Sequence, residues 1–156
     1  MSHKGIRLLI QDTAQSLGDD IQFTYGRTSD FNVMRDKRYP FITLPPISSV
    51  PVYADNNVSN YMKTWAPELA FYQLDNAAST QEQYALILDE MDDYVDRFIN
   101  KLNFYSESQQ ITSNEIIITN ITQTPFIKAT ADILTGYILA FRLQVNDQFN
   151  YCGLGC

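Results

Sequence analysis

The sequence predicts an α+β domain: a mostly antiparallel sheet of about five strands, with an N-terminal helix and one long central helix on one face. Three observations carry that expectation. Tyr84, Ile87, Leu88, Met91, Tyr94, Val95, Phe98, Ile99 and Leu102 recur at three- and four-residue steps for about five turns, the spacing of an amphipathic helix. Tyr137, Leu139, Phe141, Leu143 and Val145 alternate strictly with Ile138, Ala140, Arg142 and Gln144, the spacing of a half-buried strand. The chain has 156 residues, 45% of them hydrophobic, so one core serves its whole length and 1–156 reads as a single domain.

The elements follow in order. Ile6, Leu9, Ile10, Ala14 and Leu17 share one face of a first helix over residues 5–17, which Gly18 ends. Ile21, Phe23 and Tyr25 alternate with Gln22 and Thr24 in a first strand closed by Gly26. Arg27 to Arg38 has no period and reads as a long loop. Tyr39 to Leu44 is a second strand, at a sheet edge or starting at Pro40, because proline removes a ladder donor. Pro45, Pro46 and Pro51 keep the next stretch extended, and Asp55 to Asn60 has turn composition. A third strand covers Leu69 to Leu74, with a start near Trp65 and an interruption at Pro67 left open.

Ser79 and Glu82 have the spacing of a capping box that opens the long helix. The helix face opposite the apolar stripe carries Asp89, Glu90, Asp92, Asp93 and Asp96. Glu115 to Ile121 is a fourth strand, and Gly136 stands at the entrance of the fifth. The predicted order is α-β-β-β-α-β-β. From about residue 147 the chain reads as a flexible tail that holds both cysteines, Cys152 and Cys156, so no disulfide framework is indicated.

A net charge of −7 argues against a protein whose task is to grip phosphate backbones. It is compatible with a passage that DNA must not stick to. No signal peptide or membrane-spanning run is recognisable, so synthesis in a cytosol and no membrane partner are expected. The sole histidine, His3, falls in a terminus expected to fray, which leaves nucleophile–base pairs and imidazole metal sites without an ordered ring. No phosphate-cradling glycine loop occurs. Asp92 and Asp96 lie one turn apart and could hold Mg²⁺ or Ca²⁺, but a metal site draws ligands from several elements; a solvated or contact surface is favoured. The expectation is a protein that is not an enzyme, with no catalytic residue, metal or cofactor.

Three segments carry a family resemblance: Tyr39-Pro40 after a charged loop, the helix end Asp96-Arg97-Phe98-Ile99-Asn100-Lys101-Leu102, and Asp132-Ile133-Leu134-Thr135-Gly136 leading into an alternating strand. With the element order, the chain resembles the tail-terminator or tail-completion proteins of phages and prophages over nearly its whole length. The resemblance implies a virion subunit, assembled in the bacterial cytoplasm, that forms a homo-oligomeric ring at the head-proximal end of the tail. Such rings are often hexamers; a dodecameric neck or connector ring is the alternative within the class. Implied partners are further copies of itself and neck, portal-adaptor or tail-tube proteins, with DNA passing through unbound.

A ring needs two unlike complementary surfaces on each subunit. Arg27, Arg35, Lys37 and Arg38 crowd one loop, and Asp89, Asp92, Asp93 and Asp96 one helix face, so these are the expected contact surfaces between copies. The alternative is that both are solvated and that a ring closes through apolar contacts. Two other classes compete: a small acidic inhibitory module of the immunity type, which would block a basic partner, and a metal-dependent hydrolase built on the helix carboxylates.

Overall fold

Two long antiparallel hairpins make most of the sheet. A computed structural model describes residues 3–27, 38–53, 61–107, 117–129 and 133–146. In chain order the elements are α1 (His3–Gln15), β1 (Gln22–Tyr25), β2 (Phe41–Leu44), β3 (Ser48–Tyr53), β4 (Tyr61–Ala66), β5 (Glu68–Leu74), α2 (Gln81–Glu107), β6 (Ile117–Ala129) and β7 (Leu134–Asn146). The fold is α+β, as expected, but the sheet is mixed and has seven strands.

Proline accounts for the larger number. Trp65 pairs with Leu143 and Glu68 with Ala140, so β4 and β5 run along β7 in one unbroken register. Pro67 between them lacks an N–H and interrupts the ladder there, although its carbonyl still accepts the Phe141 N–H at 3.3 Å. On the other side of this line β2 pairs with β5 (Thr43↔Ala70) and β3 with β4 (Ser48↔Ala66), with a jog at Pro45, Pro46 and Ile47. The seven strands therefore lie in five rows: β1, then β2 with β3, then β4 with β5, then β7, then β6.

The departure from antiparallel pairing is β1, which lies parallel to β2 with Gln22 opposite Phe41 and Tyr25 opposite Leu44. Parallel neighbours need a connection long enough to return to the same end of the sheet, and the segment from Gly26 to Pro40 has that length. The turn expected at Asp55 to Asn60 and the tail expected from residue 147 lie outside the described residues.

Both helices cover one face. Ile6, Leu9, Ile10 and Ala14 of α1 and Met91, Val95, Phe98 and Leu102 of α2 are buried against Ile42, Leu44, Trp65, Leu69, Phe71, Leu139, Phe141 and Leu143. Phe98 stands at the centre, its ring 5.6 Å from Phe71 and 6.2 Å from Phe141. Burying one such side chain contributes about 1.5–3 kcal/mol, so this layer supplies the main cohesion of the domain. The opposite face carries a smaller cluster, Phe41, Tyr72 and Leu134, with Tyr39, Ala70 and Phe126 packed around it. Phe41 and Tyr72 meet edge-on at 5.2 Å.

Local chemistry sets the ends of α2. Its capping box is Thr80 with Gln83, one residue beyond the predicted pair: Gln83 Oε1 accepts the Thr80 N–H at 2.8 Å and Thr80 Oγ1 accepts the Gln83 N–H at 3.4 Å. Both pairs satisfy the spacing, but Ser79 is held in the preceding turn, its N–H bonded to the Asn76 carbonyl at 2.9 Å. The helix then runs 27 residues, about 40 Å at 1.5 Å per residue. No helix among the described residues is long and apolar enough to cross a membrane.

The β6–β7 hairpin differs most from expectation. β6 extends to Ala129 rather than ending at Ile121, and its register against β7 shifts twice, between Thr119 and Thr122 and between Phe126 and Ala129. Asn120 (φ 52°) and Lys128 (φ 50°) lie inside these shifts, in the left-handed region that a bulge uses. Gly136 lies within β7 rather than at its entrance, in close approach to the β5 backbone.

Candidate interaction surfaces

The apolar stripe of α2 fixes where its carboxylates go. With Met91, Val95, Phe98 and Leu102 turned to the sheet, a pitch of 3.6 residues puts Asp92, Asp96 and Asp89 within an arc of about 60° on one flank. That flank faces β6: Asp92 Oδ1 accepts a hydrogen bond from Gln123 Nε2 at 2.5 Å. It also faces the Tyr137 phenol, whose pKa is raised first by burial and then by the negative charges of Asp92 and Asp89.

The opposite flank of α2 is cationic and meets α1. Lys101 Nζ donates to the Ser16 carbonyl at 2.5 Å and Arg97 to the Leu17 carbonyl at 3.2 Å. These carbonyls follow the end of α1, whose own last turn has no basic residue, so α2 supplies the positive charge that this end favours. Arg97 also pairs with Asp93 at 3.0 Å and lies 4.5 Å from the Tyr94 ring centroid. Asp93 is thus tied to the α1 side, while Asp89, Asp92 and Asp96 remain an exposed acidic edge beside β6.

Of the four loop cations, Arg27 and Arg38 are described; Arg35 and Lys37 lie outside the described residues. The parallel pairing separates the two that are described. Arg27 follows the end of β1 just beyond Tyr25, whereas the Arg38 N–H bonds the Gln22 side chain, at the start of β1, at 2.6 Å.

A second cationic cluster is assembled at the start of α1. His3 is the first residue of that helix, not a frayed end; its ring lies 6.0 Å from Tyr25 and 5.7 Å from Trp65, with Nε2 3.5 Å from the Tyr25 hydroxyl. The helix holds it there because His3 and Arg7 are one turn apart and Arg7 packs over the same tyrosine, 5.2 Å from the ring centroid. Lys63 lies 4.8 Å over the Trp65 ring. His3-x-x-x-Arg7 and Lys63-x-Trp65 each share a face by local periodicity, but no local pattern shows that the two faces meet.

At the far end of the sheet a polar brace ties β7 to the entry of α2. Thr135 is fully buried and its Oγ1 donates to Asp75 Oδ2 at 2.6 Å while accepting the Lys128 N–H at 3.0 Å. Lys128 Nζ donates to the carbonyls of Ala77 and Ser79. Burial pushes the Asp75 carboxyl up, yet the bonds from Thr135 and the Asn76 N–H and the charge of Lys128 outweigh it, so its pKa is lowered.

Among the described residues no three His, Cys, Asp or Glu side chains converge in a group that could hold a metal ion. No protein-family model matches the sequence, and no curated protein matches it.

Proposed function

We propose that this chain is a structural virion protein of a bacteriophage, a subunit of a ring at the head–tail junction or the head-proximal end of the tail. The observation that supports it best is the separation of charge within the subunit. The β6 flank of α2 is acidic, and a cationic cluster, Arg7 and Lys63 with His3, lies at the start of α1. Unlike surfaces at two places on one rigid body join head to tail, and a head-to-tail joint that closes makes a ring. The segment similarities at Tyr39-Pro40, at the end of α2 and at Ile133 to Gly136 point to the same family.

On this reading the Arg27 to Arg38 loop, with Arg35 and Lys37, and the carboxylates Asp89, Asp92, Asp93 and Asp96 contribute to contacts between copies. Neighbouring neck, portal-adaptor or tail-tube proteins dock on the ring, DNA passes without specific binding, and the chain performs no catalysis. Native mass spectrometry of the full-length protein tests it. A discrete multimer of one size, hexamer or dodecamer, supports the ring. A monomer that persists at high concentration and binds one basic protein tightly would instead favour an inhibitory module.

A further inference from the structure

We infer that the cluster of His3, Arg7, Tyr25, Lys63 and Trp65 is a socket that receives the acidic α2 edge of a second copy, Asp89, Asp92 and Asp96. The inference rests on the ring reading and deepens it by naming the joint. It starts from an imbalance. The chain has 18 acidic residues against 11 basic ones, yet among the described residues neither Arg7 nor Lys63 has a carboxylate partner. Each instead lies over an aromatic ring, Arg7 over Tyr25 and Lys63 over Trp65. A cation–π contact holds a cation in place without neutralising it, so its field stays available to an incoming anion. Two donors here, Arg7 Nε and Trp65 Nε1, are buried without an acceptor, and Trp65 itself is 2% exposed. The start of α1 adds the positive end of a 13-residue helix.

The occupant follows from what else the surface offers. Asp89 and Asp96 have no cationic partner among the described residues, and Asp92 bonds only the neutral Gln123 amide. Socket and edge share no ion pair among the described residues. The edge lies on the β6 flank of α2, while α1 is fastened to the other flank at its C-terminal end by Arg97 and Lys101. The socket stands at the opposite end of α1, about 20 Å along a 13-residue helix. One molecule therefore carries the two halves of a complementary pair at separate places on its surface, the condition for a heterologous contact between copies.

The test is an exchange of charge. In the full chain, Arg7→Glu with Lys63→Glu makes a socket variant, and Asp92→Lys with Asp96→Lys makes an edge variant. Sedimentation velocity and native mass spectrometry report assembly, and circular dichroism verifies folding. Each variant alone is expected to need an about tenfold higher concentration than the parent to assemble. Mixed in equal amounts, they should form multimers in which the two variants alternate, because every joint is then oppositely charged. That rescue also proves both variants folded. If the parent assembles and the folded socket variant assembles equally well, or the mixture gains nothing, the socket is wrong while the ring stands. A parent that stays monomeric overturns the ring reading, and the joint falls with it.

Discussion

A Cβ built on Gly136 would stand 1.9 Å from the Phe71 carbonyl oxygen and 2.8 Å from the Tyr72 Cα. Both contacts are backbone, which cannot swing aside as a side chain can. Gly136→Ala must therefore push β7 away from β5 along the register that joins the two hairpins. The expected loss is about 3 kcal/mol, measured by urea unfolding. A variant within 0.5 kcal/mol of the parent, the range of about ±0.5 kcal/mol typical of surface sites, would show that the strands have room to part.

Phe98→Ala should cost about 3–5 kcal/mol, because it removes a fully buried ring that touches Phe71 on one side and Phe141 on the other. Leu86→Ala on the same helix, at 69% exposure, should change stability by less than about 0.5 kcal/mol. Equal losses at the two positions would contradict the assignment of the α2 faces.

The Asp75–Thr135 brace should weaken in acid. A carboxyl whose pKa is lowered by folding stabilises the native state above its unfolded value, and that contribution disappears as pH falls through the lowered folded value. The window lies below about pH 4, the ordinary carboxyl range. Hydrogen exchange at the Asp75 amide, which bonds the Ile133 carbonyl at 2.9 Å, should accelerate there more than exchange at Phe141 in the middle of β7. Thr135→Val should remove that difference by accelerating Asp75 exchange at neutral pH as well.

If the Arg27 to Arg38 loop rather than the socket meets the acidic edge in the ring, Arg35→Glu with Arg38→Glu should weaken assembly and lower its sensitivity to salt, and adding Asp92→Lys with Asp93→Lys should restore part of it. Light scattering across a salt series checks both. Exposed pairs contribute about 0–1 kcal/mol each, so the effect belongs in the concentration dependence and not in subunit unfolding. An unaltered concentration dependence would remove the loop from the joint.

The parts of the fold legible in the sequence are those with an uninterrupted period. The three- and four-residue steps from Met91 to Leu102 and the alternation from Leu139 to Leu143 match the buried positions. The sequence pattern ends β6 early because the bulge at Asn120 reverses the parity of its side chains: Ile118 faces the helices, and beyond the bulge so do Gln123 and Pro125. No single period spans both halves. The acidic residues read as one face, but the five carboxylates spread over an arc of about 160°, and the contacts divide them between β6 and α1. No local pattern announces the cationic cluster, because α1, β1 and β4 bring its members together across long stretches of chain.

The two bulges in β6 also bear on how this protein avoids sticking to itself in the wrong way. Among the described residues β6 is the outermost row, with Ile117, Ile121 and Ile127 all at least 39% exposed, the composition of a strand that could recruit another chain's backbone. Between the bulges the regular stretch is Thr122 to Phe126, and Pro125 takes one donor out of it. A foreign strand laid along this edge would lose step after a few residues in either direction. Fibril growth by strand stacking is thereby denied a template at this edge.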